Sequence, residues 1–280
     1  MKSYSHIISK LFYEPLLVTP ARHAALLGLL DARLASGNLR VRIDDSPDDQ
    51  RDAGPNLSDD DAAEVKREGG TVIIPVHGTL VMHPEDIAMS ECGCAMEDLN
   101  ALIDQAENDP RIERVIYDFR TPGGSVTGIP ETGRKILHSR KETIAFTGSE
   151  CCSGGIWLAA QCQQFYATQS SRVGSVGVYC MTLDVSRAME EQGIAVNAIF
   201  AGKYKLLGAN FKPLVEDERA ILQAGVDKIY GQFKEAMESH RVVNDENFGN
   251  GLVFDGEDAL NIGFIDGVVE SLDEVVENVS

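Results

Sequence analysis

Nothing in the 280 residues approaches the run of about 18–20 apolar residues that crosses a bilayer. The best candidate, Ala24-Ala25-Leu26-Leu27-Gly28-Leu29-Leu30, is too short and lies inside an amphipathic pattern. The start, Met1-Lys2-Ser3-Tyr4-Ser5-His6, lacks the charged-then-apolar order of an export signal, so the chain is expected to stay in the cytoplasm. Basic residues are scarce: 25 Lys and Arg stand against 44 Asp and Glu, a net charge of −19. That balance argues against nucleic acid and anionic membranes as partners, because phosphate contacts need clustered Lys and Arg. Six cysteines in a chain this long make no disulfide framework. Cys92-Gly93-Cys94 has no matching Cys or His pair nearby, so no metal or other cofactor is expected and the thiols read as packed. No histidine lies between His138 and His240.

What is present is an ordinary globular composition, 43% hydrophobic and 25% charged, with enough length for a sizeable core. Residues 7–36 carry Leu and Ala mainly at three- and four-residue steps, broken by Pro15 and Pro20, and predict a small helical arm over residues 1–43. Residues 44–68 hold ten acidic and three basic side chains. With Pro47, Gly54-Pro55 and Gly69-Gly70, the stretch 44–70 cannot pack a core and reads as a flexible acidic linker. From Thr71 to the end the pattern alternates. Strands are predicted at Thr71–Val76, Arg114–Phe119, Thr143–Thr147, Gln164–Ala167, near Val176–Leu183 and at Ala195–Ala201. Helices are predicted around Met96–Ala106, Gly128–Arg140, Ser186–Gln192 and along Leu222–Met237, with a closing β/α segment from Leu252. Such alternation predicts an α/β domain, 71–280, built on a mainly parallel sheet with covering helices.

The stretch that organises the domain is Glu150-Cys151-Cys152-Ser153-Gly154-Gly155-Ile156-Trp157, a strand, a tight turn and a helix start with a hydroxyl at the turn. Ser153 alone reads as a helix N-cap. Its company changes that. A second Gly pair, Gly123-Gly124, ends a strand about thirty residues earlier, and consecutive βα units set their turns side by side at one sheet edge. Backbone N–H groups from both turns then converge on one oxygen, as an oxyanion needs. A nucleophilic serine also needs a base. His138 and His240 fall within or near the ends of predicted helices, so the base is sought among lysines, which burial can neutralise near pH 7. Lys203, Lys205 and Lys212 follow the Val196–Phe200 run, and Lys203 and Lys205 share a strand face, so spacing does not separate them.

Five motifs stand in order: Thr-Pro-Gly-Gly at 121–124, Cys-Ser-Gly-Gly-x-Trp at 152–157, Gly-Ser-Val-Gly-Val at 174–178, Ala-Gly-x-x-Lys at 201–205 and Gly-x-x-Ala-x-x-x-Gly-x-x-Asp at 256–266. Together they resemble the signal peptide peptidase A (S49-type) family of serine proteases over roughly residues 71–275. The resemblance implies a ClpP/crotonase-like fold and a Ser–Lys dyad. It makes Ser153 the nucleophile and Lys205 the general base, with Ser175 orienting the lysine and Gly123 or Gly124 and Gly154 supplying the oxyanion hole. Arg120-Thr121 replaces the family's usual Asp-Ser, and Ile156 its usual aromatic, which touches the substrate groove and not the dyad. The segment Leu11–Pro20 is similar to the start of the capsid-assembly (prohead) proteases of tailed phages. That likeness implies capsid, scaffold or portal proteins as substrates, a homo-oligomer, no membrane anchor, and a location in host cytoplasm or procapsid. A signal-peptide or general cytoplasmic peptidase of the same family is the nearer alternative. A crotonase-like acyl-CoA enzyme and an inactive structural capsid component are the readings from other classes.

Overall fold

The computed structural model describes residues 14–25, 27, 66–84, 93–241, 248 and 250–278. It is mixed α/β around a six-stranded sheet of order β13-β10-β8-β6-β3-β2. Here β2 is Lys66–Glu68, β3 Thr71–His77, β6 Arg114–Arg120, β8 Glu142–Thr147, β10 Gln164–Ala167 and β13 Gly267–Val268. Every pairing is parallel except that of β2 with β3. Val72, Ile74, Val76, Ile116, Phe119, Ile144 and Phe165 are fully or almost fully buried, as strands covered on both faces require. Each such side chain contributes on the order of 1.5–3 kcal/mol by leaving water. Among the described residues β2 pairs only with Thr71–Ile73, so Pro75 inside β3 forgoes no described ladder bond on that flank.

Helices lie along the chain between and after these strands. In α1 (Met96–Asn108) the buried residues are Met96, Leu99, Leu102, Ile103 and Ala106, one face of a helix that stops before Pro110. Next comes α2 (Ile129–Leu137), with Pro130 in its first turn. All six residues of α3 (Gly154–Ala159) are buried. The helix α4 (Ser186–Glu191) buries none of its residues. The long α5 (Glu216–Glu238) reaches back with Phe233, whose ring stacks on Trp157 at 4.8 Å. Asp255 caps α6 (Gly256–Asn261) by accepting the Asp258 N–H. From α7 (Leu272–Asn278), Val275 and Val276 pack on Ile73, Ile116, Ile144 and Phe146.

Two smaller sheets carry the turns of interest. One has the order β1-β7-β4-β5, with β1 Leu16–Val18, β4 Thr79–Val81, β5 Gly93–Ala95 and β7 Gly123–Ser125. The other has β12 (Val253–Phe254), β11 (Arg172–Gly174) and β9 (Glu150–Cys152). The chain divides into two compact units. Residues 17–177 and 233–280 form the larger, and the smaller holds Val178–Gln232 with the segment ending at Leu16. Within the smaller unit Leu16 exchanges backbone bonds with Tyr179, at 2.8 and 3.3 Å.

Four expectations need correcting. Leu16–Val18 is a strand and not part of a helical arm, because Pro20 pushes the residue before it out of the α region and Val18 and Thr19 are β-branched. Helix follows at residues 20–25 and 27, and the rest of the arm lies outside the described residues. The paired sheet starts at Lys66, five residues before the expected boundary, while residues 44–65 of the acidic linker fall outside the description. The strand foreseen near Val176–Leu183 forms earlier, at Arg172–Gly174, where β9 offers parallel pairing. Ala195–Ala201 forms no strand, since a strand needs a neighbour for its N–H and C=O groups and none is paired there among the described residues. Ile199 of that stretch is fully exposed.

A charged cluster closes the ends of β3 and β6. The buried Asp118 carboxylate accepts from His77 Nε2 at 3.1 Å and from Arg120 Nη2 at 2.8 Å. Burial pushes the Asp118 carboxyl up, but the His77 bond and the Arg120 charge outweigh it and hold it below the usual carboxylate range. A carboxyl depressed in the folded state adds stability above its unfolded pKa of about 3.9, and that stability fades as pH falls through the folded value. Asp118→Asn should therefore cost about 1.5–3 kcal/mol at pH 7 in chemical denaturation, with the gap to wild type narrowing below about pH 4. A gap that stays constant down to pH 2 would show that the charge contributes nothing.

Candidate active site

Two turns meet at the carboxyl end of the central sheet, as the Gly pairs predicted. After β8 the chain leaves the main sheet through Gly148-Ser149 and enters β9, which lies parallel to β11. Thr121, just past β6, ties the two turns together. Its N–H donates to Glu150 O at 2.8 Å, and its carbonyl accepts the Cys152 N–H at 3.0 Å. Its hydroxyl donates to Gly78 O at 2.6 Å and accepts the Gly123 N–H at 3.1 Å. Threonine in place of the expected serine thus supplies the same bonding oxygen, and its methyl packs on Gly155, where an added Cβ would lie 2.5 Å away.

Ser153 has φ 54° and ψ −116°, a backbone conformation that L side chains rarely adopt. Its N–H donates to Gly174 O at 2.8 Å and its carbonyl accepts the Trp157 N–H at 3.1 Å, which starts α3. Ser153 occupies the N-cap position, yet its hydroxyl makes no capping bond. The simple N-cap role is therefore not what its side chain does. Ser175 follows Gly174 and is the other described non-glycine residue with positive φ, at 57°. Its N–H donates to Leu252 O at 2.6 Å. Strain of this kind costs about 1–3 kcal/mol per residue and gathers at functional sites. Here it falls on the two serines singled out from sequence.

Gly123, at φ +95°, is so close to the Ser153 turn that an added Cβ would stand 2.9 Å from Ser153 Cβ. At Gly124 it would meet Leu80 O at 1.8 Å, the price of pairing β7 to β4. The Gly154 N–H, at the head of α3, has no acceptor among the described residues. The Gly123 N–H is engaged by Thr121 Oγ1. The flanking thiols do not compete with the hydroxyl. Burial pushes Cys152 up to about 12 and Cys151 well above its usual range, so neither is a thiolate at neutral pH.

Ser153, Ser175 and the three glycines belong to the larger unit, and all three candidate lysines to the smaller. Lys203 Nζ pairs with Asp217 at 2.9 Å and lies over the Tyr204 ring. The hydrogen bond to Asp217, helped by Tyr204, holds Lys203 well above the usual lysine range. Lys212 Nζ is gripped by both oxygens of Glu218, at 2.7 and 2.6 Å. Lys205 is exposed, and its Nζ has no partner among the described residues. Residues 202–208 are a run of turns and not the exit of a strand. The shared strand face of Lys203 and Lys205 disappears for that reason. His77, at the carboxyl end of β3, is paired with Asp118 of the adjacent β6.

Residues 135–280, just over half the chain, match the family described as peptidase family S49. Capsid assembly protease C of Escherichia phage lambda is 27% identical over 289 residues, covering 98% of this chain and 65% of its own length. The head-tail preconnector protein GP5 of Enterobacteria phage P21 is 27% identical over 287 residues, covering 98% and 57%. Protease 4 of Salmonella typhi is 21% identical over 215 residues, covering 75% and 34%. The chain thus spans about two thirds or less of the length of these relatives. The resemblance carried by the five motifs is borne out, and the chain belongs to peptidase family S49.

Proposed function

We infer that the chain is a serine endopeptidase in which Ser153 attacks the scissile carbonyl and Lys205 is the general base. The observation that carries this is the Ser153 turn. It is a strained backbone with an uncommitted hydroxyl, set against Gly123 and headed by the unpartnered Gly154 N–H. A strand-to-helix turn of this kind presents Oγ to a substrate and places N–H donors beside it. The mainly parallel sheet and the two-turn arrangement support a ClpP/crotonase-type fold.

Lys205 is favoured over its neighbours because Lys203 and Lys212 are each committed to a carboxylate. In the reaction, Lys205 Nζ takes the Ser153 Oγ proton as Oγ bonds to the substrate carbonyl carbon. The oxyanion is held by the Gly154 N–H together with a donor from the Gly123-Gly124 turn, and Ser175 orients the lysine. Collapse breaks the C–N bond, and the leaving amine takes the proton from Lys205. Water, deprotonated by the same lysine, then hydrolyses the acyl ester and regenerates the hydroxyl. Because the base must be neutral, a bound substrate has to shield Lys205 from water.

The names of the phage relatives, a capsid assembly protease and a head-tail preconnector protein, support protein substrates of a virus head. Beyond those names, we propose capsid, scaffold or portal proteins as the substrates, host cytoplasm or procapsid as the place and a homo-oligomer as the form. Ser153→Ala should abolish cleavage of such proteins while shifting the melting temperature by only a few degrees, because Ala keeps the Cβ the turn already accommodates. Turnover at the wild-type rate in a pure sample would remove Ser153 from the role. Lys205→Ala should lose activity nearly as completely as Ser153→Ala, and the double variant should be no worse than either, since the two act as one unit. Lys203→Ala should keep most of its kcat/KM. A dead Lys203→Ala beside an active Lys205→Ala would reverse the assignment of the base.

A further inference from the structure

A hydrolase of proteins must open its nucleophile to a polypeptide, yet Ser153 is only 1% exposed. Leu17 of β1, itself fully buried, lies beside both Gly123 and Gly154, the glycines that flank Ser153 in space and in sequence. A Cβ placed on Gly123 would stand 2.0 Å from the Leu17 carbonyl oxygen and 2.9 Å from Ser153 Cβ, so a peptide carbonyl sits next to the serine. A Cβ placed on Gly154 would find Leu17 O and Leu17 Cβ both at 3.5 Å. The same carbonyl therefore lies beside both glycine turns.

The way β1 is held matches how an extended peptide is held. It joins its sheet next to β7, the strand that leaves the Gly123-Gly124 turn, and the Thr19 N–H donates to Pro122 O at 3.0 Å. Strand addition at a sheet edge is a general mode of peptide recognition, with main-chain bonds giving affinity and pockets for side chains giving choice. Pro15 and Pro20 bound the segment, which keeps it short and extended. Leu17 and Val18 are buried in the larger unit, so a side chain that takes their places leaves water there, which favours apolar residues.

We propose that β1 occupies the substrate position beside Ser153, so that the chain rests closed on its own Leu16-Leu17-Val18 strand and cleaves extended peptides that bring apolar residues to the same places. This rests on the reading of Ser153 as nucleophile. Catalysis then requires β1 to peel from β7 before substrate adds there. The segment's effective concentration in its own chain is on the order of millimolar or above, so the closed form dominates until a substrate is presented at high local concentration.

Three measurements on the full-length chain test this. Fluorophosphonate should label Ser153 slowly in wild type and at least tenfold faster in Leu17→Gly, which weakens the seal. Equal rates in the two chains would overturn the proposal. The free peptide of sequence Glu14–Arg22 should slow labelling of Leu17→Gly in a saturable way, and the same peptide with Asp at both Leu positions should not. Equal effects of the two peptides would overturn the apolar specificity. Hydrogen exchange in Ser153→Ala reads β1 without any chemistry at the serine. The Leu17, Val18 and Thr19 amides should exchange at least a hundredfold faster than those of Val72–Ile74. Exchange as slow as in β3 would make β1 a fixed structural strand and overturn the proposal whatever the labelling shows. Fast exchange with no labelling in either chain would uphold β1 as displaceable and count against Ser153 as nucleophile.

Discussion

The site depends on one short backbone lattice, the pair of bonds by which Thr121 holds both Glu150 and Cys152. Those bonds fix the distance between two turns that come from different strands of the central sheet and from different sheets. Without them Gly123 has no reason to lie against Ser153. The same threonine uses its hydroxyl twice, as donor to Gly78 and acceptor from Gly123, so one residue orders three loops. Buried bonds of this kind contribute about 1 kcal/mol each but cost more when one partner is lost.

That lattice lets the structure carry strain where chemistry is proposed. Ser153 and Ser175 hold positive φ because their neighbours over-determine them: Gly174 accepts from Ser153, and Leu252 accepts from Ser175. The rest of the fold supplies rigidity for this purpose. A parallel sheet buried on both faces cannot flex at its carboxyl edge without opening the packing of Ile116, Ile144 and Phe146 against α7.

Much of this was legible in the sequence, and the reasons are physical. Long, apolar, β-branched runs such as Thr71–Val76 and Arg114–Phe119 can only be buried strands, and the alternation with α1 and α2 dictates parallel pairing. The Gly pairs were legible as close approaches because nothing larger fits beside Leu80 and Ser153. Other features were hidden. Strands of two or three residues, such as β4, β7 and β9, carry no period to read and exist only through their partners. Ala195–Ala201 shows the converse, a strand-like pattern with no paired neighbour among the described residues. The Leu16–Val18 strand was masked by leucine spacing that suits a helix, although Pro15 and Pro20 mark its limits. Whether a lysine is committed to a carboxylate cannot be read from spacing, and here that commitment separates Lys203 and Lys212 from Lys205.

The central claim is that a covalent bond forms at one oxygen. The direct measurement is an acid quench of the full-length chain during turnover of a protein substrate, followed by peptide mapping by mass spectrometry. An acyl ester on the peptide containing Ser153, rising and falling with turnover, is the predicted result. Turnover with the acyl group found on Cys152, His77 or no residue at all would contradict it.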